Sequence, residues 1–150
     1  LSRDPFLVVA PHGHPIRRLA ITGKGELPEL DLVHLRDQTF LMVRRSQRIR
    51  QITDSLLAAA GITQPDILMT LKSFETVQLL CAEGMGFTLL PRQYAALPYL
   101  LTKPDYYSIP ESYGAYWELC IATPKDAYLS LAGKRFLDMV RQFCREGAFS

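Results

Sequence analysis

The sequence predicts an α/β fold with parallel strands, and two observations carry this prediction. Short apolar runs alternate with amphipathic segments from residue 39 to residue 91, in the order strand, helix, strand, helix, strand. A glycine follows each amphipathic segment, as it does at the ends of many helices. Because parallel strands need a long crossover connection, the alternation favours a sheet joined by right-handed helical crossovers.

The composition is that of a globular chain. Of its 150 residues, 48% are hydrophobic and 21% are charged, which is typical of one folded domain or two small lobes. No apolar run approaches the ~20 residues that span a bilayer. Leu1 is not followed by a basic and then apolar leader, so no signal peptide is expected. The three cysteines form no C-x-x-C pair, which favours free thiols in a reducing cytoplasm.

The alternating region can be divided into elements from its apolar residues. The strands are predicted at 39–43, 66–70 and 86–91. Ser46 is predicted to cap a helix over 47–60. Spacings of three, four and seven place one apolar stripe on that helix: Ile49, Ile52, Leu56, Leu57 and Ala60. Ser73 is predicted to cap a second helix that ends near Glu83, and Gly61 and Gly84 suit the two helix ends.

The flanking regions hold fewer predicted elements. A buried strand is expected at 5–11, mostly loop at 12–30 and a turn of helix at 30–35. A connection rich in proline and tyrosine at 98–114 leads to a strand predicted at 115–124. Ser130 is predicted to cap a final helix with an inward apolar face, formed by Ala132, Phe136, Met139, Val140 and Phe143.

Positive charge is concentrated in the stretch RRSQRIR at 44–50, although the net charge of the chain is only +2. In an open parallel sheet, ligands gather beyond the carboxyl ends of the strands, and helix N-termini there attract anions. Arg44, Arg45, Ser46 and Gln47 are therefore candidate ligands for a carboxylate or phosphate. The alternative is a solvated surface, on which Arg50 pairs weakly with Asp54 four residues later.

A second wall of the same site is predicted from SFET at 73–76 and GMGF at 84–87. Its candidate residues are Ser73, Phe74, Gly86 and Phe87. Gly86 permits close approach of a ligand to the backbone, but a tight turn from helix to strand explains it equally well.

No catalytic, metal or cofactor site is predicted. The sequence lacks the G-x-S-x-G and H-E-x-x-H motifs and shows no pair of carboxylates at a catalytic spacing. His12 and His14 could bind a metal, but His34 is the only other histidine, so a loop is the favoured interpretation. Binding rather than catalysis is expected.

Four segments, taken in order, resemble the effector-binding domain of LysR-type transcriptional regulators. The most specific part runs from an A-G-x-x-P spacing at 60–65 through S-x-E-T and E-G-M-G to a closing L-L-P. The segments are FLVVAPHGHPI (6–16), DLVHLRDQTFLMVRRSQRIRQ (31–51), LLAAAGITQPDILMTLKSFETVQLLCAEGMGFTLLP (56–91) and LSLAGKRFLDMV (129–140).

The resemblance implies a fold like that of type-2 periplasmic binding proteins, with two α/β lobes around a small-molecule cleft. Residues 11–110 would form the second, complete lobe. Residues 1–10 and 111–150 would supply the crossover strands and a C-terminal helix of an incomplete first lobe. In the family, the loop after the strand that corresponds to 39–43 commonly contacts the effector, which again selects Arg44, Arg45, Ser46 and Gln47.

The resemblance also implies a function. The chain would sense a small effector, expected to be a carboxylate or another anion, and a homo-oligomer, such as a dimer, would transmit the signal to DNA. The family's N-terminal winged helix-turn-helix and most of its first lobe have no counterpart here, so specific DNA recognition is not expected of this chain. The alternatives are a solute-binding protein of the same fold, an enzyme on this fold, and a non-specific nucleic-acid binder whose affinity would fall steeply with salt.

Overall fold

The computed structural model describes residues 2–23, 25–95, 101–123, 125 and 128–145. The strands are β1 (Ser2–Ala10), β2 (Thr39–Val43), β3 (Asp66–Leu71), β4 (Thr88–Pro91), β5 (Asp105–Ser108) and β6 (Tyr116–Leu119). The α-helices are α1 (Arg48–Ala59), α2 (Phe74–Ala82) and α3 (Leu131–Arg145). Short 3-10 helices lie at Pro15–Leu19, Leu32–Leu35, Arg92–Tyr94 and Glu111–Tyr113.

The predicted parallel arrangement is confirmed for the region from residue 39 to residue 91. Strands β2 and β3 are parallel neighbours. The chain that enters β4 also runs parallel to β2, because the Leu41 amide donates to the Phe87 carbonyl at 2.8 Å and the Phe87 amide donates to the Thr39 carbonyl at 2.9 Å. Gly61 and Gly84 follow α1 and α2 with φ of 78° and 88°, so the predicted left-handed helix ends are also confirmed.

Strand β1 joins two parts of the structure. Its second half, from Phe6 to Ala10, lies between β4 and β5 and is antiparallel to both. Its first half pairs with β6, in a register that places Arg3 opposite Glu118. The second half is fully buried, which explains its continuous apolar sequence.

The core lies between the sheet and the helices α1 and α2. Phe40, Leu41, Leu57, Leu89 and Leu90 are fully buried. Burying a side chain of this kind contributes roughly 1.5–3 kcal/mol. The predicted stripe of α1 is largely confirmed, since most of its apolar side chains face this core.

Several predicted boundaries were wrong. The first strand begins at Ser2 rather than residue 5, and within the described residues of the predicted strand at 115–124 only β6 is a strand. The predicted connection at 98–114 contains β5, whose Ser108 carbonyl accepts from the Leu30 amide at 2.9 Å. This pairing partner is distant in sequence, so the proline and tyrosine composition did not reveal it.

The prediction that the apolar face of α3 points inward was also wrong. The side chains of Leu131, Phe136 and Met139 are 73%, 64% and 68% exposed, and Phe143 is exposed as well. The helix forms where the sequence predicts it, but the described residues leave Phe136 and Met139 of its stripe largely uncovered. None of the helices in the described ranges is long and apolar enough to cross a membrane.

Candidate functional site

The predicted anion site lies at one edge of the sheet. Strands β2 and β3 are parallel, so the loops that follow them, from Arg44 and from Lys72, leave the same edge. Strand β1 is antiparallel to β4, with Phe6 opposite Pro91, so residues 2–5 extend beyond that edge together with β6. The carboxyl edge is therefore bounded by two loops and by the paired strands β1 and β6.

Three of the four arginines at residues 44–50 differ in exposure and in hydrogen bonding. The guanidinium groups of Arg44 and Arg45 are exposed and have no hydrogen-bond or ion-pair partner within the described residues. Arg50 is only 3% exposed; it donates to the Val43 carbonyl at 3.0 Å and to Asp54 Oδ1 at 2.8 Å. The predicted pairing of Arg50 with Asp54 is confirmed. The expected surface position of Arg50 was wrong, because α1 turns this side chain inward under the end of β2.

Gln47 links the two loops of the carboxyl edge. It is the N-cap of α1, without a side-chain bond to the helix, so the predicted cap at Ser46 was wrong and Ser46 is exposed. The Gln47 Nε2 donates to the Lys72 carbonyl at 3.4 Å. The Oε1 atom is buried and has no hydrogen-bond partner within the described residues, which is energetically costly for a polar atom. It could accept a hydrogen bond from a ligand.

Ser73 and Phe74 lie at the same edge, at the start of α2. The Ser73 Oγ accepts from the Thr76 amide at 3.3 Å, so its predicted capping role is confirmed. The Phe74 ring packs on Tyr94 with 4.7 Å between ring centroids. Both side chains are partly exposed and border the loop that accepts the Gln47 hydrogen bond.

Gly86 and Phe87 lie at the opposite edge, because they precede β4 rather than follow a strand. A Cβ atom on Gly86 would lie 2.7 Å from the Thr39 carbonyl oxygen, so a close backbone approach requires glycine there. The Phe87 ring is buried and meets the His14 ring edge-on, with 5.0 Å between centroids. The structure does not bring these two residues to Arg44 and Arg45.

A groove between α1 and β6 was missed by the sequence analysis. Its volume is about 570 Å³. Arg3 donates to Glu118 Oε1 at 2.7 Å, and its guanidinium lies 5.5 Å from the centre of the Tyr116 ring. The lining residues are Arg3, Arg48, Ile52, Gly114, Tyr116, Trp117, Glu118 and Cys120. No local signal could have revealed it, because it depends on the pairing of β1 with β6.

Other polar groups in the described ranges serve the fold. Burial raises the pKa of the Cys81 thiol to about 12, which makes it a poor nucleophile. The buried Gln78 accepts from the Tyr106 hydroxyl at 2.9 Å and donates to the Tyr94 carbonyl at 2.7 Å. No group of three histidine, cysteine, aspartate or glutamate side chains is arranged to hold a metal in the part of the chain that the structure describes.

Solved structures share this fold. The CcmR regulatory domain of Synechocystis PCC6803, in complex with 2-PG, matches with a TM-score of 0.69 and 20% identity over 93% of this chain. The effector-binding domain of QuiR with shikimate matches at 0.67 and 20% over 98%. The BenM effector-binding domain with benzoate matches at 0.64 and 15% over 99%.

This chain spans 62–64% of the length of those three chains. A search of curated protein sequences found no match. The sequence profile described as the LysR substrate binding domain matches residues 1–145. The chain therefore belongs to the LysR substrate-binding domain family, and it has the type-2 periplasmic-binding-protein-like fold of that family.

Proposed function

We propose that this chain is the small-molecule-sensing part of a LysR-type transcriptional regulator, and that its effector is an anion. The observation that carries the proposal is the pair of exposed guanidinium groups, Arg44 and Arg45, at the carboxyl edge of a parallel sheet. Neither has a partner in the described residues, whereas Arg50 in the same stretch is buried and bonded. Arginine forks match the geometry of carboxylate and phosphate.

Besides the two arginines, the proposed site includes two uncharged polar side chains, Gln47 and Ser46. The Gln47 Oε1 is a buried acceptor without a donor among the described residues, so a hydroxyl group on the effector would satisfy it. Ser73 and Phe74 would contact the part of the effector that lies over the loop after β3.

Shikimate and benzoate, the ligands of QuiR and BenM, are carboxylates, which supports an anionic effector here. Gly86 and Phe87 would support the fold rather than the effector.

The proposed mechanism needs a second lobe. Residues 11–110 would form one lobe, and residues 1–10 and 111–150 would contribute the crossover strands and α3 to the other. The exposed apolar face of α3 supports this division, since such a face is normally covered. An effector that contacts both lobes would shift their relative population, and a homo-oligomer would pass this change to a DNA-binding domain outside these residues. The proposal includes no catalytic step, and the cytoplasmic location stays a prediction.

The test is thermal unfolding of the chain with benzoate, shikimate, sulfate and phosphate. We expect a saturable rise in melting temperature with at least one anion, because a ligand that binds only the folded state adds about 2.7 kcal/mol at 100 times its Kd. Arg45→Ala should remove the rise. Arg135→Ala is the matched control, since it removes one exposed arginine from α3 and should leave the rise intact.

Two outcomes would count against the proposal. A folded Arg45→Ala variant with unchanged affinity would show that this arginine does not hold the anion. An equal loss in Arg135→Ala would show that net charge, rather than the carboxyl edge, controls binding.

A further inference from the structure

A second groove lies at the edge of the sheet opposite Arg44 and Arg45. Ala10, at the end of β1, pairs with Asp105 at the start of β5. Phe6 pairs with Pro91 near the carboxyl edge, and Ala10 lies four residue steps further along the strand, at a distance of roughly 13 Å. A ligand in this groove would therefore occupy a site separate from the proposed effector site.

The groove has the size and walls of a small-molecule site. Its volume is about 610 Å³, within the range of ~300–1,000 Å³ that is usual for ligand pockets. Its lining includes Arg17, Arg18, Leu27, Pro28, Asp105 and Tyr106. Much of this wall is apolar or aromatic.

The walls are held in place by hydrogen bonds to the body of the fold. The Ser108 amide donates to the Pro28 carbonyl at 2.9 Å, which fixes one wall to β5. The Tyr106 hydroxyl donates to Gln78 Oε1 at 2.9 Å, which fixes the second wall to α2. A pocket whose walls are fixed in this way is largely formed before a ligand arrives, which lowers the cost of binding.

The groove carries an excess of positive charge. The guanidinium groups of Arg17 and Arg18 are exposed, and no described residue forms a hydrogen bond or ion pair with either. Asp105, the one acidic residue among the described residues of the lining, is already engaged: its Oδ2 accepts from the Gly13 amide at 2.9 Å and its Oδ1 lies 3.4 Å from His12 Nδ1. Burial raises the pKa of Tyr107, the nearby Asp105 charge raises it further, and the Arg17 charge partly opposes both effects.

We infer that this groove binds a small amphipathic anion. A carboxylate or phosphate head would lie against Arg17 and Arg18, and an apolar or aromatic body would lie against Leu27, Pro28 and Tyr106. The apolar wall favours such a molecule over a nucleic-acid backbone, which would use the two arginines alone. The inference does not depend on the proposed effector site, because it concerns different residues at the other edge of the sheet.

The test is an NMR titration of backbone amides with phenyl phosphate, and with the neutral analogue benzyl alcohol as the comparison. We expect phenyl phosphate to shift the amides of Ala20, Thr22 and Tyr106 saturably. The double variant Arg17→Gln/Arg18→Gln should weaken this response at least tenfold. The matched control Arg44→Gln/Arg45→Gln removes the same charge from the other edge and should leave it unchanged.

A blocking variant tests the groove independently of charge. Thr22→Trp keeps both arginines and places a large ring in the groove, so it should also abolish the response of Ala20 and Tyr106. Survival of the response in this variant, or an equal response to benzyl alcohol, would overturn the inference. The inference also fails if only Arg44→Gln/Arg45→Gln removes the response, or if duplex DNA displaces phenyl phosphate with a steep dependence on salt.

Discussion

Helices α1 and α3 carry the same kind of sequence but lie in opposite surroundings. Each has an apolar stripe at helical spacing and a charged opposite face. In α1 the stripe is buried, and Leu57 has no exposed surface. In α3 the corresponding side chains, including Phe136 and Met139, are mostly exposed.

The difference shows what an amphipathic pattern encodes. The pattern indicates that one face of a helix is suited to burial, but it does not indicate which surface covers that face. For α1 the cover is the sheet of the same chain, and the Thr53 hydroxyl donates to the Leu89 carbonyl of β4 at 3.4 Å. For α3 the described residues supply little cover, and we propose that the rest of the first lobe supplies it.

The largest expected effect on stability comes from truncating one apolar side chain in the stripe of each helix. Leu57→Ala should lower the free energy of unfolding by about 2–5 kcal/mol, because it removes a fully buried side chain and leaves a cavity. Phe136→Ala should change it by no more than about 0.5 kcal/mol, because its ring already lies largely in water. Urea denaturation of both variants measures the contrast.

An equal cost for both variants would contradict the contrast between the helices. The titration should be repeated at two protein concentrations. If the cost of Phe136→Ala appears only at the higher concentration, the face of α3 is covered by a second copy of the chain.

The fold could be predicted where local signals agree with tertiary pairing. Strand β2, α1, β3 and α2 each combine an apolar pattern with nearby cap or glycine signals, and each lies within a few residues of its predicted bounds. Strand β5 was missed because its partners, β1 and the backbone near Leu30, are distant in sequence. Boundaries in β1 and β6 likewise depend on their mutual pairing.

The candidate site was only partly predictable for the same reason. Residues that follow parallel strands must share an edge, so Arg44, Gln47 and Ser73 could be grouped from the sequence. Phe87 does not belong with them, because a residue that precedes a strand lies at the other edge. The inward direction of Arg50 could not be predicted from the sequence, because both faces of that helical turn carry arginine.

An intermediate effect is expected from replacing a buried and an exposed arginine near the start of α1. Arg50→Met should lower the free energy of unfolding by about 1–3 kcal/mol, because it leaves the buried Val43 carbonyl without its donor. Arg44→Met should leave stability within about 0.5 kcal/mol, because Arg44 is exposed. The measurement is again urea denaturation, with methionine chosen in both positions to retain the bulk of the side chain. A neutral Arg50→Met would show that the packing of the arginine stem, and not its hydrogen bonds, is what α1 requires.

The smallest expected effect comes from removing the serine side chains that cap the N-termini of α2 and α3. Ser73 Oγ accepts from the Thr76 amide in α2, and Ser130 Oγ accepts from the Gly133 amide at 3.1 Å in α3. Ser73→Ala should cost about 1 kcal/mol in the global free energy of unfolding, since α2 packs on the sheet and its fraying weakens the core.

Ser130→Ala removes a comparable bond but should act locally. A helix of 15 residues whose apolar face is little covered by the described residues is marginal in water, so loss of its cap should lower the helical signal in far-ultraviolet circular dichroism. The midpoint of global unfolding should stay unchanged, because the core does not depend on α3. If Ser130→Ala instead shifts the midpoint as much as Ser73→Ala does, then α3 folds cooperatively with the sheet and its apolar face must already be covered.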